Sequence, residues 1–194
     1  WGGDALRRAM NGIIDGWVSG NRRVFGWLNP TPISIQGLEG LGRDQWVLVP
    51  ANHQSWTDIL LLQNTLRPHL PPLKFFTKRE LLWLPFLGQA MWALDFPFMH
   101  RYSPAYLERH PEKRGKDLAT TRRACAHFRH TPTAVINFAE GTRWTPEKHA
   151  AQASPYPRLL RPRAGGTGFV LSALGDQLDR YVDVTLRYQS ERPN

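Results

Sequence analysis

Residues 46–66 read WVLVPANHQSWTDILLLQNTL, and this stretch decides the fold. Trp46 to Pro50 is a short apolar run without polar alternation, the pattern of a strand covered on both faces. Thr57 to Leu66 is rich in leucine and is stopped by Arg67-Pro68, which predicts a helix. The turn between them is Asn52-His53-Gln54-Ser55-Trp56-Thr57-Asp58. Open α/β sheets gather ligands where a strand ends and its helix begins, so this turn is a candidate site.

The same alternation continues on both sides. Strands are expected at Ile33 to Gln36, Leu73 to Thr77, Asp95 to Met99, Thr133 to Phe138 and Tyr181 to Tyr188. Helices are expected at Gly115 to His130 and Thr167 to Leu178, and a broken helix at Lys78 to Trp92. Trp144 to Arg163, polar and proline-containing, reads as a loop. The whole predicts an α/β fold with a mixed, largely parallel sheet flanked by helices. No repeat and no composition break marks a further domain.

Asp4 to Leu28 is a predicted amphipathic helix. Leu6, Met10, Ile13 and Trp17 form one apolar stripe, with Arg7, Arg8, Arg22 and Arg23 near its ends. Such a helix either packs on a core or lies in an anionic membrane interface. Asn29-Pro30-Thr31-Pro32 ends it. Leu81 to Met99 has about the length of a membrane span. Pro85, Gln89, Asp95 and Pro97 interrupt it, so it is read as helix, turn and short strand within the protein.

Composition narrows the partners. The chain has 194 residues, 41% hydrophobic and 21% charged, which suits one globular domain rather than disorder. Its 25 Lys and Arg against 16 Asp and Glu give a formal charge of +9, which favours anionic partners. The single cysteine, Cys125, excludes an intramolecular disulfide framework and a four-cysteine zinc site. Lying among Arg122, Arg123 and His127, it reads as structural rather than activated. His127 and His130 are spaced for a metal but have no carboxylate beside them in sequence, so they read as surface residues. Lys113, Arg114, Lys116, Arg122 and Arg123 form a basic region. The first residue is Trp1 rather than Met, so the chain is read as a trimmed product, and an anchor ahead of it stays open.

Two segments carry chemistry. In the first, neutral His53 is able to take a proton from a hydroxyl. Asp58, in the first turn of the following helix, reaches back to the imidazole, sets its tautomer and stabilises its charged form. Taken alone, such a pair also reads as a structural hydrogen bond. In the second, Phe138-Ala139-Glu140-Gly141-Thr142-Arg143 follows a strand. Its backbone amides, hydroxyl and guanidinium are the parts of a phosphate site, although a surface turn with an Arg143–Glu140 salt bridge uses the same residues. Gly165-Gly166-Thr167-Gly168 before a helix reads as a tight turn or as an anion contact.

In this order and spacing, Asn-His-x₄-Asp and, about 80 residues later, Phe-x-Glu-Gly-Thr-Arg resemble the glycerolipid acyltransferases. The bacterial 1-acylglycerol-3-phosphate (lysophosphatidic acid) acyltransferases and their paralogues are the nearest type. A third element, Leu84-Pro85-Phe86-Leu87-Gly88 through Phe98-Met99-His100-Arg101, matches as well. The proline-containing last strand of that family is replaced by Val182-Asp183-Val184-Thr185-Leu186, and Ala139 stands where proline is usual. The resemblance covers roughly Ile35 to Tyr188.

That resemblance implies an N-terminal membrane-proximal helix over residues 1–30 and an acyltransferase domain over 31–194. It implies His53 as general base and Asp58 as its orienting partner. Arg101, Glu140, Gly141, Thr142 and Arg143 hold the phosphate of the acceptor, and Leu81 to Trp92 lines the acyl path or faces the membrane. The implied reaction moves a fatty acyl chain from acyl-CoA or acyl carrier protein, a co-substrate thioester, to the free hydroxyl of lysophosphatidic acid. No cofactor, no metal and no enzyme nucleophile is needed, and Ser55 is left to capping or packing. The partners expected are a phospholipid surface, a lysophospholipid acceptor and the thioester donor, and not nucleic acid. The expected location is the cytoplasmic face of a bacterial inner membrane. Glycerol 3-phosphate or another lysophospholipid is the alternative acceptor. A non-catalytic basic module binding lipid or nucleic acid is the competing class, which has no use for a His–Asp pair.

Overall fold

The computed structural model describes residues 2–28, 32–85, 87–94, 96–99, 104–111 and 127–189. Arg101, Lys113, Arg114, Lys116, Arg122, Arg123 and Cys125 lie outside them, as does most of the helix expected at Gly115 to His130. What is described there is a 3₁₀ turn, His127–His130.

In chain order the elements begin with helix α1 (Gly2–Leu28), strand β1 (Val47–Ala51), helix α2 (Thr57–Leu66), and strands β2 (Leu73–Phe75) and β3 (Thr77–Lys78). A 3₁₀ turn (Arg79–Trp83), α3 (Leu87–Ala93), β4 (Phe98–Met99) and α4 (Pro104–Arg109) follow. The chain continues through β5 (Ala134–Phe138), α5 (Pro146–Ala151), α6 (Ala164–Leu174) and β6 (Arg180–Tyr181).

Four strands form the main sheet in the order β2-β5-β1-β6, and every pairing in it is parallel. β3 and β4 make a separate parallel pair. Parallel strands need both faces covered, and the alternation along β1 shows how this is met. Val47, Val49 and Ala51 pack with Leu62, Leu66, Leu70, Leu73, Phe75 and Ile136 on the α2 side. Leu48 and Val135 pack with Val170, Ala173 and Leu174 of α6, and with Phe128, on the other.

The crossover from β1 through α2 to β2 skips a position that β5 later fills. β1 and β5 therefore run side by side, with Ala51 level with Phe138. Their two following loops leave the same edge of the sheet as neighbours, which brings together segments far apart in sequence.

Several expectations are corrected. Ile33 to Gln36 forms no strand; Ile33 and Ile35 are exposed and meet no partner edge. The predicted loop from Trp144 to Arg163 holds α5, whose start is plain once seen. Thr145 caps it, its side chain accepting from Lys148 N at 3.3 Å, and Pro146 follows in the first turn. Gly165-Gly166-Thr167-Gly168 is not a turn ahead of a helix but lies within α6, which starts at Ala164 and ends at Leu174. Gly166 allows α6 to close on β5, since a Cβ there would meet Asn137 Oδ1 at 2.3 Å. The strand expected at Tyr181 to Tyr188 shrinks to β6 and one parallel bridge, Val184 to Ala51. β1 turns away after Ala51, so the chain beyond Val184 has no ladder to join.

α1 lies against α2. Val18 is buried, and Asp15 holds the buried Arg67 at 2.7 Å. Ile13 and Trp17 point away from this contact, 62% and 51% exposed, and Val24, Trp27 and Leu28 continue the exposed stripe. Met10 is half-buried, and the side chain of Leu6 lies outside the described part.

Candidate active site

His53 lies two residues past the end of β1, and Glu140 two past the end of β5. Parallel register makes these positions adjacent, and hydrogen bonds join them. The Glu140 carboxylate accepts from His53 N at 2.9 Å and from Leu160 N at 2.8 Å. His53 O accepts from Trp144 N at 2.7 Å, and Ala139 O from Arg163 N at 2.7 Å. Both loops are thus laced backbone to backbone around one buried acid.

The His53 ring stacks on Phe138, centroids 4.0 Å apart and planes 17° from parallel. Its Nδ1 lies 2.8 Å from Asp58 Oδ2. Neutral imidazole therefore donates from Nδ1 and keeps a lone pair on Nε2, the nitrogen that Asp58 leaves free for a substrate proton. Asp58 is fully buried, 0% exposed. Its Oδ2 also accepts from Gln54 N at 2.6 Å and Ser55 N at 2.9 Å, and its Oδ1 accepts from the Tyr188 hydroxyl.

The physical balance at Asp58 is clear in direction. Burial pushes its carboxyl up, yet the bonds from His53, Tyr188, Ser55 and Gln54 outweigh burial and hold it below its ordinary value. Glu140 goes the other way: burial raises it against its two amide bonds, and nearby Asp58 adds to the rise. Burial, then the bond to Asp58, pushes the Tyr188 phenol up, so its hydroxyl keeps its proton and donates.

The loop after Glu140 turns at Gly141, whose φ of 69° suits glycine. Thr142 and Arg143 follow. Lys148, on α5, donates to Thr142 Oγ1 at 2.8 Å and to Arg143 O at 3.0 Å. This braces the loop and brings a second cation to it. The Arg143 guanidinium lies over the Trp56 ring, 4.7 Å from its centroid, so the two segments meet through side chains too.

His53, Asp58, Glu140, Gly141, Thr142 and Arg143 thus stand on two adjacent loops, while Arg101 is outside the described residues. The alternative reading, a surface turn with an Arg143–Glu140 salt bridge, is not what forms: Arg143 stacks on Trp56, and both Glu140 oxygens are occupied by backbone amides. Ser55 is buried, and its Oγ accepts from Thr57 N at 3.3 Å and Thr57 Oγ1 at 3.0 Å, a packing and turn role. Asn52 stands in the motif with no role assigned to it, and Lys148 and Tyr188 are not singled out by the sequence. Asn52 bonds both ways with Leu186, Nδ2 to O at 2.9 Å and Oδ1 from N at 2.7 Å. Only the capping signal of α5 could have drawn attention to Lys148. Tyr188, 130 positions from Asp58, had no local signal.

A parallel sheet thus carries a His–Asp pair at one strand end and a Gly-Thr-Arg loop at the next. The acyltransferase family model matches residues 32–182, and the chain belongs to that family. Its fold is similar to that of the 1-acyl-sn-glycerophosphate (LPA) acyltransferase PlsC from Thermotoga maritima. That match has a TM-score of 0.57 at 18% identity and covers 95% of this chain and 74% of the other.

Proposed function

We propose that this acyltransferase moves a fatty acyl chain from a thioester, acyl-CoA or acyl carrier protein, to the free hydroxyl of lysophosphatidic acid, making phosphatidic acid. The observation that carries the reading is the Asp58–His53 contact at 2.8 Å beside the Thr142–Arg143 loop. The acceptor hydroxyl gives its proton to His53 Nε2 as its oxygen attacks the thioester carbonyl. Asp58, ionised and acceptor-only, stabilises the imidazolium that forms. Collapse of the tetrahedral intermediate expels the thiolate, which takes the proton back from His53. The chemistry needs neither metal nor covalent enzyme intermediate.

Arg143, with a planar two-pronged donor face, and the Thr142 hydroxyl hold the phosphate of the acceptor. Arg101 is assigned to the same phosphate on sequence alone. Glu140, its oxygens taken by the amides of His53 and Leu160, serves by joining the loops rather than by touching an anion.

The enzyme works at a phospholipid surface, in this reading the cytoplasmic face of a bacterial inner membrane. Among the described residues no helix is long and apolar enough to cross a membrane. The support is a set of exposed apolar side chains: the α1 stripe, Trp83 at 82% and Trp92 at 69%. Tryptophan favours the headgroup level, and α1 carries Arg22 and Arg23 beside its stripe.

The deciding experiment is an acceptor panel with labelled acyl-CoA and acyl carrier protein donors, using His53→Ala as blank. Lysophosphatidic acid is expected to give the highest kcat/KM. Preference for glycerol 3-phosphate or another lysophospholipid would replace the acceptor, and equal transfer by the blank would overturn the mechanism.

A further inference from the structure

The last described segment of the chain does more than close the sheet. Val184 N donates to Pro50 O at 2.9 Å, and Asn52 grips Leu186 through both its amide atoms. Gln54 Nε2 reaches Leu186 O as well, at 3.5 Å. These bonds deliver Tyr188 to the buried side of Asp58. There its hydroxyl contacts Oδ1 and lies 3.1 Å from Thr57 Oγ1.

Oδ2 is occupied by His53 and two amides, so the Tyr188 hydroxyl is the side-chain donor that engages the other oxygen. A carboxylate gripped at both oxygens is unable to swing about its Cβ–Cγ bond. We propose that Tyr188 is a positioning residue of this site: by donating to Asp58 Oδ1 it fixes the carboxylate plane and draws charge from the oxygen that holds the His53 imidazole. This rests on the reading above only in that His53 acts as the base.

The sign of the effect follows. Removing the hydroxyl leaves more negative charge facing Nδ1–H, which favours the imidazolium. It also frees the carboxylate to turn, which loosens the ring. The other groups around His53 stay in place: Glu140 at its backbone amide, Arg143 and Lys148 along the adjoining loop, and uncharged Phe138 under the ring.

The experiment uses the whole chain with Tyr188→Phe, which keeps the ring and deletes one oxygen. The imidazole titration is followed by NMR on histidine-labelled protein, with His53→Ala assigning the signal. The expected result is an upward displacement of that titration relative to wild type. With it comes about a tenfold loss in kcat/KM for lysophosphatidic acid and an acid limb displaced the same way. If Tyr188→Phe does not fold, 3-fluorotyrosine at 188, a stronger donor, is expected to shift the His53 titration downward instead. An unmoved titration in the folded variant overturns the proposal, whatever the activity. A wild-type enzyme that ignores every lysophospholipid while the NMR shift appears overturns the acceptor reading and leaves Tyr188 in its role.

Discussion

Asp58→Asn separates the charge of Asp58 from its shape, and the structure says how the amide will sit. Three donors converge on Oδ2: Gln54 N, Ser55 N and His53 Nδ1. An Asn NH₂ turned there would face all three, so the Asn oxygen takes that place. The NH₂ then meets the Tyr188 hydroxyl, which is able to turn and accept. The tautomer of His53 is thereby kept, unlike in a triad where the amide forces the wrong one. What is lost is the negative charge. At about 4 Å between charge centres and an effective dielectric of about 20, it is worth about 4 kcal/mol, or about 10³ in rate. Partial proton transfer in the transition state and the residual amide dipole bring the expected loss of kcat to about 10². Steady-state kinetics across pH is the assay, with the acid limb of kcat/KM expected to move down because the imidazolium has lost its partner.

Thermal melting adds a check on sign. Because the folded state holds Asp58 below its ordinary value, its stabilisation is present above the ordinary carboxylate range. It fades as pH falls through the lowered value. The gap in Tm between wild type and Asp58→Asn should therefore be widest near neutrality and narrow in acid. Glu140, raised mainly by burial, has the opposite sign: its charge costs stability at neutral pH, and that cost lifts on acidification in both proteins, less in Asp58→Asn, where the Asp58 charge that adds to the rise is gone. A near-normal kcat in Asp58→Asn, or an acid limb that does not move, would refute the assigned role of the pair.

Three further outcomes are expected. Arg143→Lys keeps a charge but loses the fork and the flat stack on Trp56, so acceptor KM should rise about tenfold or more while donor KM stays put; initial rates with each substrate varied decide it. Ile13→Ser with Trp17→Ser removes two exposed side chains from α1, which should cut binding to anionic vesicles by about 10² or more without moving Tm; a large fall in Tm with unchanged vesicle co-sedimentation would instead mark α1 as a core helix. Gly166→Ala forces a Cβ against the Asn137 side-chain amide, so denaturant unfolding should register a loss of about 1–3 kcal/mol as Asn137 shifts and gives up its 3.0 Å bond to Thr167 Oγ1.

How far the sequence carries can be judged residue by residue. Thr57–Leu66 was legible as a helix to its ends, because a leucine-rich run is bounded by Pro68 and begins just past a compact strand. β1 and β5 were legible from uninterrupted apolar runs, which only a doubly covered strand tolerates. His53 with Asp58, and Glu140 to Arg143, stood out because catalytic residue types followed strands within a few positions. The Thr145-Pro146 pair carries a helix-start signal, but the polar, proline-containing stretch around it reads as a loop. Ile33 to Gln36 misled because β-branched residues suit a strand only if an edge receives them.

Local sequence determined β1, α2, β5 and the two chemical segments, since strand, turn and helix-stop preferences act over a few residues. Tertiary structure alone decided that β5 fills the gap beside β1, because strand order depends on which faces bury one another and not on neighbouring residues. From that order comes the meeting of His53 with Glu140, of Trp56 with Arg143, and of Asp58 with Tyr188. The last pairing depends on a segment guided home by Asn52, a hydrogen-bond partner that no periodicity or spacing encodes.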